Sequence, residues 1–241
     1  MAKKVLVLMG GFSAEREVSL TTGKCVCAAL KKAGYEVVSH DLQNGFELVE
    51  TLKKEKPDVV FNALHGNWGE DGEIQGFLDV LQVPYTHSGL KASVLGMDKS
   101  LTKELASENG IKVPQGEKMT FRKFKAEGTF LKMPYVVKPV SDGSSVGVYI
   151  IRKKEDAEAV RYEDDREILI EEFIDGKELT CMVLGSQAHV VTELRASDEF
   201  YDYHAKYTAG ATQHILPAEI PEEAANRCKL YAEHMLSLIH I

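Results

Sequence analysis

The chain has 241 residues, 44% of them apolar and 27% charged, and 29 Lys+Arg against 37 Asp+Glu give a formal net charge of −8. Apolar content this high buries enough surface to offset chain entropy, which excludes a disordered chain, and the acidic balance argues against a general nucleic-acid binder. No apolar run approaches the roughly 20 residues that span a bilayer, and the run after Lys3-Lys4 is too short for a signal peptide.

Four cysteines without an even framework, and no export signal, place the expected home of the chain in a reducing cytoplasm. Residues 5–9 are continuously apolar and close on Gly10-Gly11, the pattern of a strand buried on both faces. Val18, Thr22, Cys25, Val26, Ala29, Leu30 and Ala33 recur at helical spacing up to Gly34, a natural C′ residue. Residues 35–39 give a second strand, 48–56 a polar helix, and 59–64 a third strand introduced by Pro57-Asp58. Ile74, Phe77, Leu78 and Leu81 mark another helix with Asp71 as its N-cap, and 83–86 is a short fourth strand. Strand and helix alternate, so this part reads as an open parallel α/β sheet. Ligands of such sheets sit at the carboxyl ends of the strands, where Gly10-Gly11 and His65-Gly66 fall.

After Gly89 the pattern changes. Asp98 caps a helix through Leu101 and Leu105 that ends at Asn109-Gly110. Residues 135–138 and 146–151 form an antiparallel hairpin around the turn-rich 140–145, and 168–170 is a further strand. Residues 179–184 and 188–194 make a second hairpin through Gly185-Ser186. An aromatic loop over 197–212 precedes a strand at 214–216, and a helix begins near Glu222. The stretch 153–166 is a charged surface, and Cys181 and Cys228 are expected in the core. Cys25 and Cys27 point apart on a helix and do not make a metal pair.

Five constellations carry chemistry. Gly10-Gly11-Phe-Ser13-Ala-Glu15-Arg-Glu-Val-Ser19 opens a helix at a strand end, but lacks the G-x-G-x-x-G spacing of a dinucleotide site. Glu15 there either favours the helix dipole or holds a substrate ammonium. His65-Gly66-Asn-Trp-Gly69-Glu70-Asp71-Gly72 has no recognised metal-ligand spacing; His65 is either a satisfied loop histidine or a substrate contact. Lys138 sits in the apolar run 136–139 and needs an anion, because an unpaired buried charge costs several kcal/mol. The loop Ser141-Asp-Gly-Ser-Ser-Val-Gly147 after it is either a plain turn or a phosphate cover, and lacks the Gly-Lys-Ser/Thr ending of a P-loop. Glu171-Glu172-Phe173-Ile174 and Glu178 form either a solvated edge or a carboxylate partner for ribose hydroxyls. The loop Phe200-Tyr-Asp-Tyr-His-Ala-Lys206-Tyr207 is long and aromatic, as functional loops are.

Taken in order, these motifs resemble the D-alanine–D-alanine ligases of the ATP-grasp superfamily. The match also includes Leu64-His65-Gly66, Gly69-Glu-Asp-Gly72, Gln75-Gly76, Pro84-Tyr85-Thr86, Met97-Asp98-Lys99, Val137-Lys138-Pro139 and Gly143-Ser-Ser-Val-Gly147, and spans essentially the whole chain. The resemblance implies a Rossmann-like α/β substrate domain over 1–90. An α+β ATP-grasp fold follows, with a central subdomain over 91–175 and a partial C-terminal subdomain over 176–241. It implies a cytoplasmic homodimer that uses ATP and D-alanine to make D-alanyl-D-alanine for peptidoglycan through an acylphosphate. An ester-forming D-alanine–D-lactate ligase is the nearest alternative. By the resemblance, Glu15 holds the ammonium of the first D-alanine with help from His65. Lys99 and Lys138 bind ATP phosphates, and Lys206 neutralises the transferring phosphoryl group. Ser144, in a mobile cover loop, links to Tyr207 and Glu15 and closes the site against water. Backbone groups near Glu171, Glu172, Phe173 and Ile174 hold adenine, and Glu178 the ribose.

One departure stands out. The family continues past its last matching helix into Arg-x-Asp and Glu-x-Asn segments that supply the magnesium or manganese ligands, and nothing after Glu233 matches them. The expectation is therefore a ligase lacking the second half of its ATP-grasp domain, with no metal ligands in the chain. Binding of substrate or nucleotide without catalysis is the reading of a different class.

Overall fold

The structure is a computed structural model that describes residues 2–196 and 212–240. It divides into two compact units, Met1–Met97 and Asp98–Ile241.

The first unit runs β1 (Lys4–Gly10), α1 (Arg16–Lys32), β2 (Glu36–Leu42), α2 (Gly45–Glu55), β3 (Val59–Asn62), α3 (Glu73–Val80) and α4 (Leu90–Met97). Its sheet has the order β2-β1-β3, all parallel, with Val5 opposite both Val37 and Val59. Because β1 is central, successive side chains enter opposite cores, which is why the run 5–9 is apolar without alternation. Leu6 and Leu8 pack with Leu48, Leu52, Val60, Ile74 and Leu78 on one face. Val5, Val7 and Met9 meet Leu20, Val26 and Leu30 on the other. Each fully buried aliphatic side chain contributes about 1.5–3 kcal/mol. Asn44 caps α2 by accepting from the Glu47 N–H at 2.9 Å, and Gly34 follows α1 with φ +88° as its composition predicts.

Helix α1 lies on β1 through Gly23, where a Cβ would come within 2.6 Å of the Met9 Cβ. Gly23→Ala should therefore destabilise the unit by about 1–2 kcal/mol, since overpacking costs ~1–3 kcal/mol and outweighs the gain in helix propensity of about 1 kcal/mol. Thermal melts of the two chains check this; a stabilised variant would show that α1 can ride outward freely.

The second unit runs α5 (Lys99–Glu108), β4 (Gly116–Thr120), α6 (Phe121–Glu127), β5 (Tyr135–Pro139), β6 (Tyr149–Ile151), α7 (Lys154–Ala159), β7 (Glu167–Glu172), β8 (Glu178–Leu184), β9 (Gln187–Ala196), β10 (Thr212–Ile215) and α8 (Glu222–Ile239). Two antiparallel sheets result, ordered β4-β7-β5-β6 and β10-β9-β8. Val137, Ile151, Ile168 and Ile170 of the first sheet bury against Phe121, Phe124 and Val160. Asp98 caps α5, accepting from the amides of Ser100 and Leu101 at 2.8 and 3.0 Å.

An open parallel α/β unit followed by an antiparallel α+β unit is the expected architecture; α4, β4 and α6 are elements that the sequence pattern does not mark, and other local differences follow. The segment 83–86 contributes a single parallel bridge, Val60 to Tyr85, because Pro84 has no N–H with which to extend the ladder. Gly72, at φ +99°, takes the N-cap position of α3 in place of Asp71. The Asp71 carboxylate instead accepts from the amides of Trp68 at 2.7 Å and Glu73 at 3.2 Å and ties the loop together. Cys181 and Cys228 are half-buried and not core residues: neither β8, which carries Cys181, nor α8, which carries Cys228, has a buried position. All four cysteines are free thiols. Within the charged stretch 153–166 stands α7, begun by the Asp156 carboxylate accepting from the amides of Arg152 and Lys153.

Candidate functional site

In the first unit the glycine turn after β1 is built tightly. Gly10 and Gly11 both have left-handed backbones, φ +84° and +82°, and a Cβ on Gly10 would run into the Asp41 carboxylate. That carboxylate takes both guanidinium nitrogens of Arg16, at 2.8 and 2.7 Å, and the hydrogen bond holds its carboxyl below the usual range. The Gly10 N–H donates to Ser19 Oγ, whose hydroxyl donates to the Ala63 carbonyl. Strand ends β1 and β3 are thereby tied through the start of α1.

Glu15 stands at the N-cap position of α1, buried, yet its side chain makes no capping hydrogen bond there. Its carboxylate reaches Gly66, where a Cβ would lie 2.8 Å from Glu15 Oε2. Ser13 stitches the two loops, donating to the His65 carbonyl at 2.6 Å and accepting from the Glu15 N–H at 3.1 Å. The His65 ring has Thr22 Oγ1 3.0 Å from Nε2 and Glu70 Oε1 4.0 Å from Nδ1. Glu70 also accepts from the Gly66 N–H at 2.7 Å, and the amides of Asn62 and Gln75 both donate to the Gly69 carbonyl. Glu15 and His65, which stand in separate motifs and are joined only by the family resemblance, thus meet at Gly66. A buried carboxylate at strand ends, set over the glycine that follows His65, suits a small ammonium ligand.

In the second unit the anion that Lys138 needs is Glu171. The side chain of Glu171 is 6% exposed; Oε2 pairs with the Lys138 Nζ and Oε1 lies 2.5 Å from the Lys103 Nζ. Burial alone would raise the Glu171 carboxyl, but the hydrogen bonds from Lys103 and Lys138 outweigh it and hold it below its usual value. Lys99 donates to the Asp142 carbonyl at 2.5 Å and to the Val140 carbonyl at 3.4 Å. Burial, reinforced by the Lys138 charge, pushes its ammonium below the usual lysine value. Lys103 and Lys138 converge on Glu171, and Lys99 stands close to Lys138 with the Asp98 and Asp142 carboxylates also near it. Asp142 is paired in turn with Arg166. The cluster gathers compact cations that suit phosphate oxygens.

The loop beyond Lys138 holds Ser144 and Ser145 at φ +53° and +58°, unusual for residues with a Cβ, and Gly147 at +68°. The Tyr162 hydroxyl donates to the Gly147 carbonyl, and burial pushes that hydroxyl above its ordinary value. At the other end of the glutamate run, Glu172 Oε1 accepts from the Gln115 N–H at 2.8 Å, so this side chain braces β4. The Phe173 ring has the Arg152 guanidinium 5.5 Å from its centre, Ile174 is exposed, and Glu178 is exposed at the start of β8. Lys206 and Tyr207 lie outside the described residues. Among the described residues no three of His, Cys, Asp and Glu converge so as to hold a metal. None of the helices described is long and apolar enough to cross a membrane.

Several of these partners escape sequence reading. Thr22, Glu70, Asn62 and Gln75 act through the loop they brace, and no spacing announces that. Glu70 and Gln75 do fall within the family motifs, and Lys103 carries a signal of its own, standing four residues after Lys99 on an expected helix and so on the same face.

Residues 42–88 match the family described as D-ala D-ala ligase N-terminus, and residues 105–241 match D-ala D-ala ligase C-terminus. A D-alanine–D-alanine ligase of Paramagnetospirillum magneticum is 48% identical over 233 residues, which cover 95% of this chain and 76% of that protein. One from Parvibaculum lavamentivorans is 46% identical over 96% of this chain and 74% of its own length. Among solved structures, a D-alanine–D-alanine ligase from Bacillus anthracis superposes with a TM-score of 0.81 at 35% identity, covering 99% of this chain and 79% of that one. The VanG D-Ala:D-Ser ligase of Enterococcus faecalis does so at 0.77 and 28% identity.

Proposed function

Because the chain belongs to the D-alanine–D-alanine ligase family, we infer that it joins two D-alanines in an ATP-dependent reaction that proceeds through D-alanyl phosphate. The carboxylate of the first D-alanine attacks the γ-phosphorus, the bond to ADP breaks, and an acylphosphate forms. The amine of the second, having lost a proton, attacks the acyl carbon. A C–N bond forms as the C–O bond to phosphate breaks, and inorganic phosphate leaves.

The chain's own groups supply binding and charge for these steps. We assign Lys99 and Lys138 to the ATP phosphates, where compact cations stabilise charge on non-bridging oxygens. Backbone groups along Glu171, Glu172, Phe173 and Ile174 take the adenine, and Glu178 the ribose. Glu15, with His65, takes the ammonium of the first D-alanine, so that its carboxylate and not its amine is presented. Ser144 belongs to the cover that keeps water from the acylphosphate. Lys206 is assigned to the transferring phosphoryl group, and Tyr207 to closure with Ser144. We further propose that the sheets β4-β7-β5-β6 and β10-β9-β8 are the central and C-terminal ATP-grasp subdomains. On this reading the protein is a cytoplasmic homodimer serving peptidoglycan precursor synthesis. The magnesium that the family resemblance implies finds no ligand set among the described residues, and no step here runs through it.

The observation that carries this reading is the convergence of Lys103 and Lys138 on the buried carboxylate of Glu171, with the Lys99 ammonium close to Lys138. The test is phosphate release from ATP by the purified chain with and without D-alanine, and D-alanyl-D-alanine detected by mass spectrometry. D-Alanine-dependent phosphate with the dipeptide is the expected result. Product only when D-lactate or D-serine is the second substrate would overturn the dipeptide assignment, and ATP binding without turnover would favour the binding-only reading.

A further inference from the structure

Helix α5 sets Lys99 and Lys103 one turn apart on one face. Lys103 is firmly held: its Nζ donates to the Pro114 carbonyl at 2.9 Å, lies 2.5 Å from Glu171 Oε1, and its side chain is 18% exposed. Gly116 faces Glu171 across β4 and β7, and a Cβ there would first run into the Ile170 carbonyl of β7. A Cβ on Gly116 would lie 3.0 Å from the Glu171 Cγ and 3.1 Å from the Lys103 Nζ. The two oxygens of Glu171 are thus divided between two lysines, one each.

That division matters for Lys138. An ammonium has three donors, and the Lys103 ion pair at Oε1 fixes the carboxylate in place beside Lys138. With Oε1 committed to Lys103, Glu171 meets Lys138 through Oε2 alone, and donors of Lys138 remain for a ligand. Lys103 also adds one positive charge beside Lys138 and Glu171. We propose that Lys103 is a positioning residue of the nucleotide site, acting through Glu171 to keep Lys138 presented to phosphate oxygens. The inference rests on the assignment of Lys138 to ATP phosphates.

The test compares ATP, measured by calorimetry, with adenosine, measured by saturation-transfer NMR, on the purified chain and on K103M and K103R. Methionine keeps the length of the stem and removes the charge. K103M should bind ATP about ten-fold more weakly with adenosine affinity unchanged, and K103R should recover most of the loss. Should K103M not fold, K103Q carries the same comparison, since its amide still reaches for the Pro114 carbonyl without the charge. Unaltered ATP affinity, or equal weakening of ATP and adenosine, overturns the proposal while leaving the nucleotide site intact. An unsubstituted chain that binds no ATP overturns the site assignment itself, and this inference with it.

Discussion

At pH 7 the Glu171→Gln chain should unfold roughly 10 °C below the unsubstituted protein, because removing one member of a buried ion pair costs about 3 kcal/mol or more and each kcal/mol moves the midpoint by about 2–4 °C in a domain of this size. Glutamine preserves shape and leaves Lys103 and Lys138, both largely buried, without a counter-charge. The pH dependence follows from the direction of the shift. The folded carboxyl lies below its ordinary value, so its contribution is present above the unfolded value of about 4.3 and disappears as pH falls through the folded one. The gap between the two chains should therefore be full at pH 7, narrow below about pH 4, and close once Glu171 takes up its proton. Urea titrations across that interval measure it. A gap that does not change with pH would mean that shape, and not charge, is what glutamine disturbs.

Glu15→Gln should lower kcat/KM for D-alanine about 100-fold while ATP affinity stays constant, since a buried hydrogen bond to a charged group is worth ~1.5–3 kcal/mol. The carboxylate is nearly inaccessible and is turned toward Gly66 and not toward the helix amides. A helix-dipole role would instead appear in stability alone, at about 0.3–1 kcal/mol. D-Alanine-dependent phosphate release, set beside a thermal melt, separates the two. Full activity with a lowered midpoint would return Glu15 to the dipole.

How much of this was legible beforehand differs between the units. The apolar run 5–9, the capping residue Asp98, and Gly34 are local signals, and the elements they mark stand where the chain pattern puts them. The helix expected over 48–56 starts earlier, at Gly45, behind an Asn44 cap that was not read from the sequence. Short elements in polar sequence were not legible. Strand β4 has one buried side chain, Met119, and α7 has none, so neither leaves a hydrophobic period; they exist because β7 and the Asp156 carboxylate take up their backbone amides.

The candidate site divides along the same line. The residues alone singled out Lys138 and left Glu15 and His65 open between structural and functional roles; the family resemblance of the motifs in order is what named Glu15, His65, Lys99 and Lys138 together. Sequence also required an anion for Lys138, because burial of an unpaired ammonium is too costly. Which anion, and shared with which second lysine, only the tertiary structure decided. Glu171 comes from the neighbouring strand β7, set beside Lys138 by antiparallel register, and Lys103 from α5. Electrostatic pairing depends on distance in space and on exclusion of water, and neither is encoded in separation along the chain.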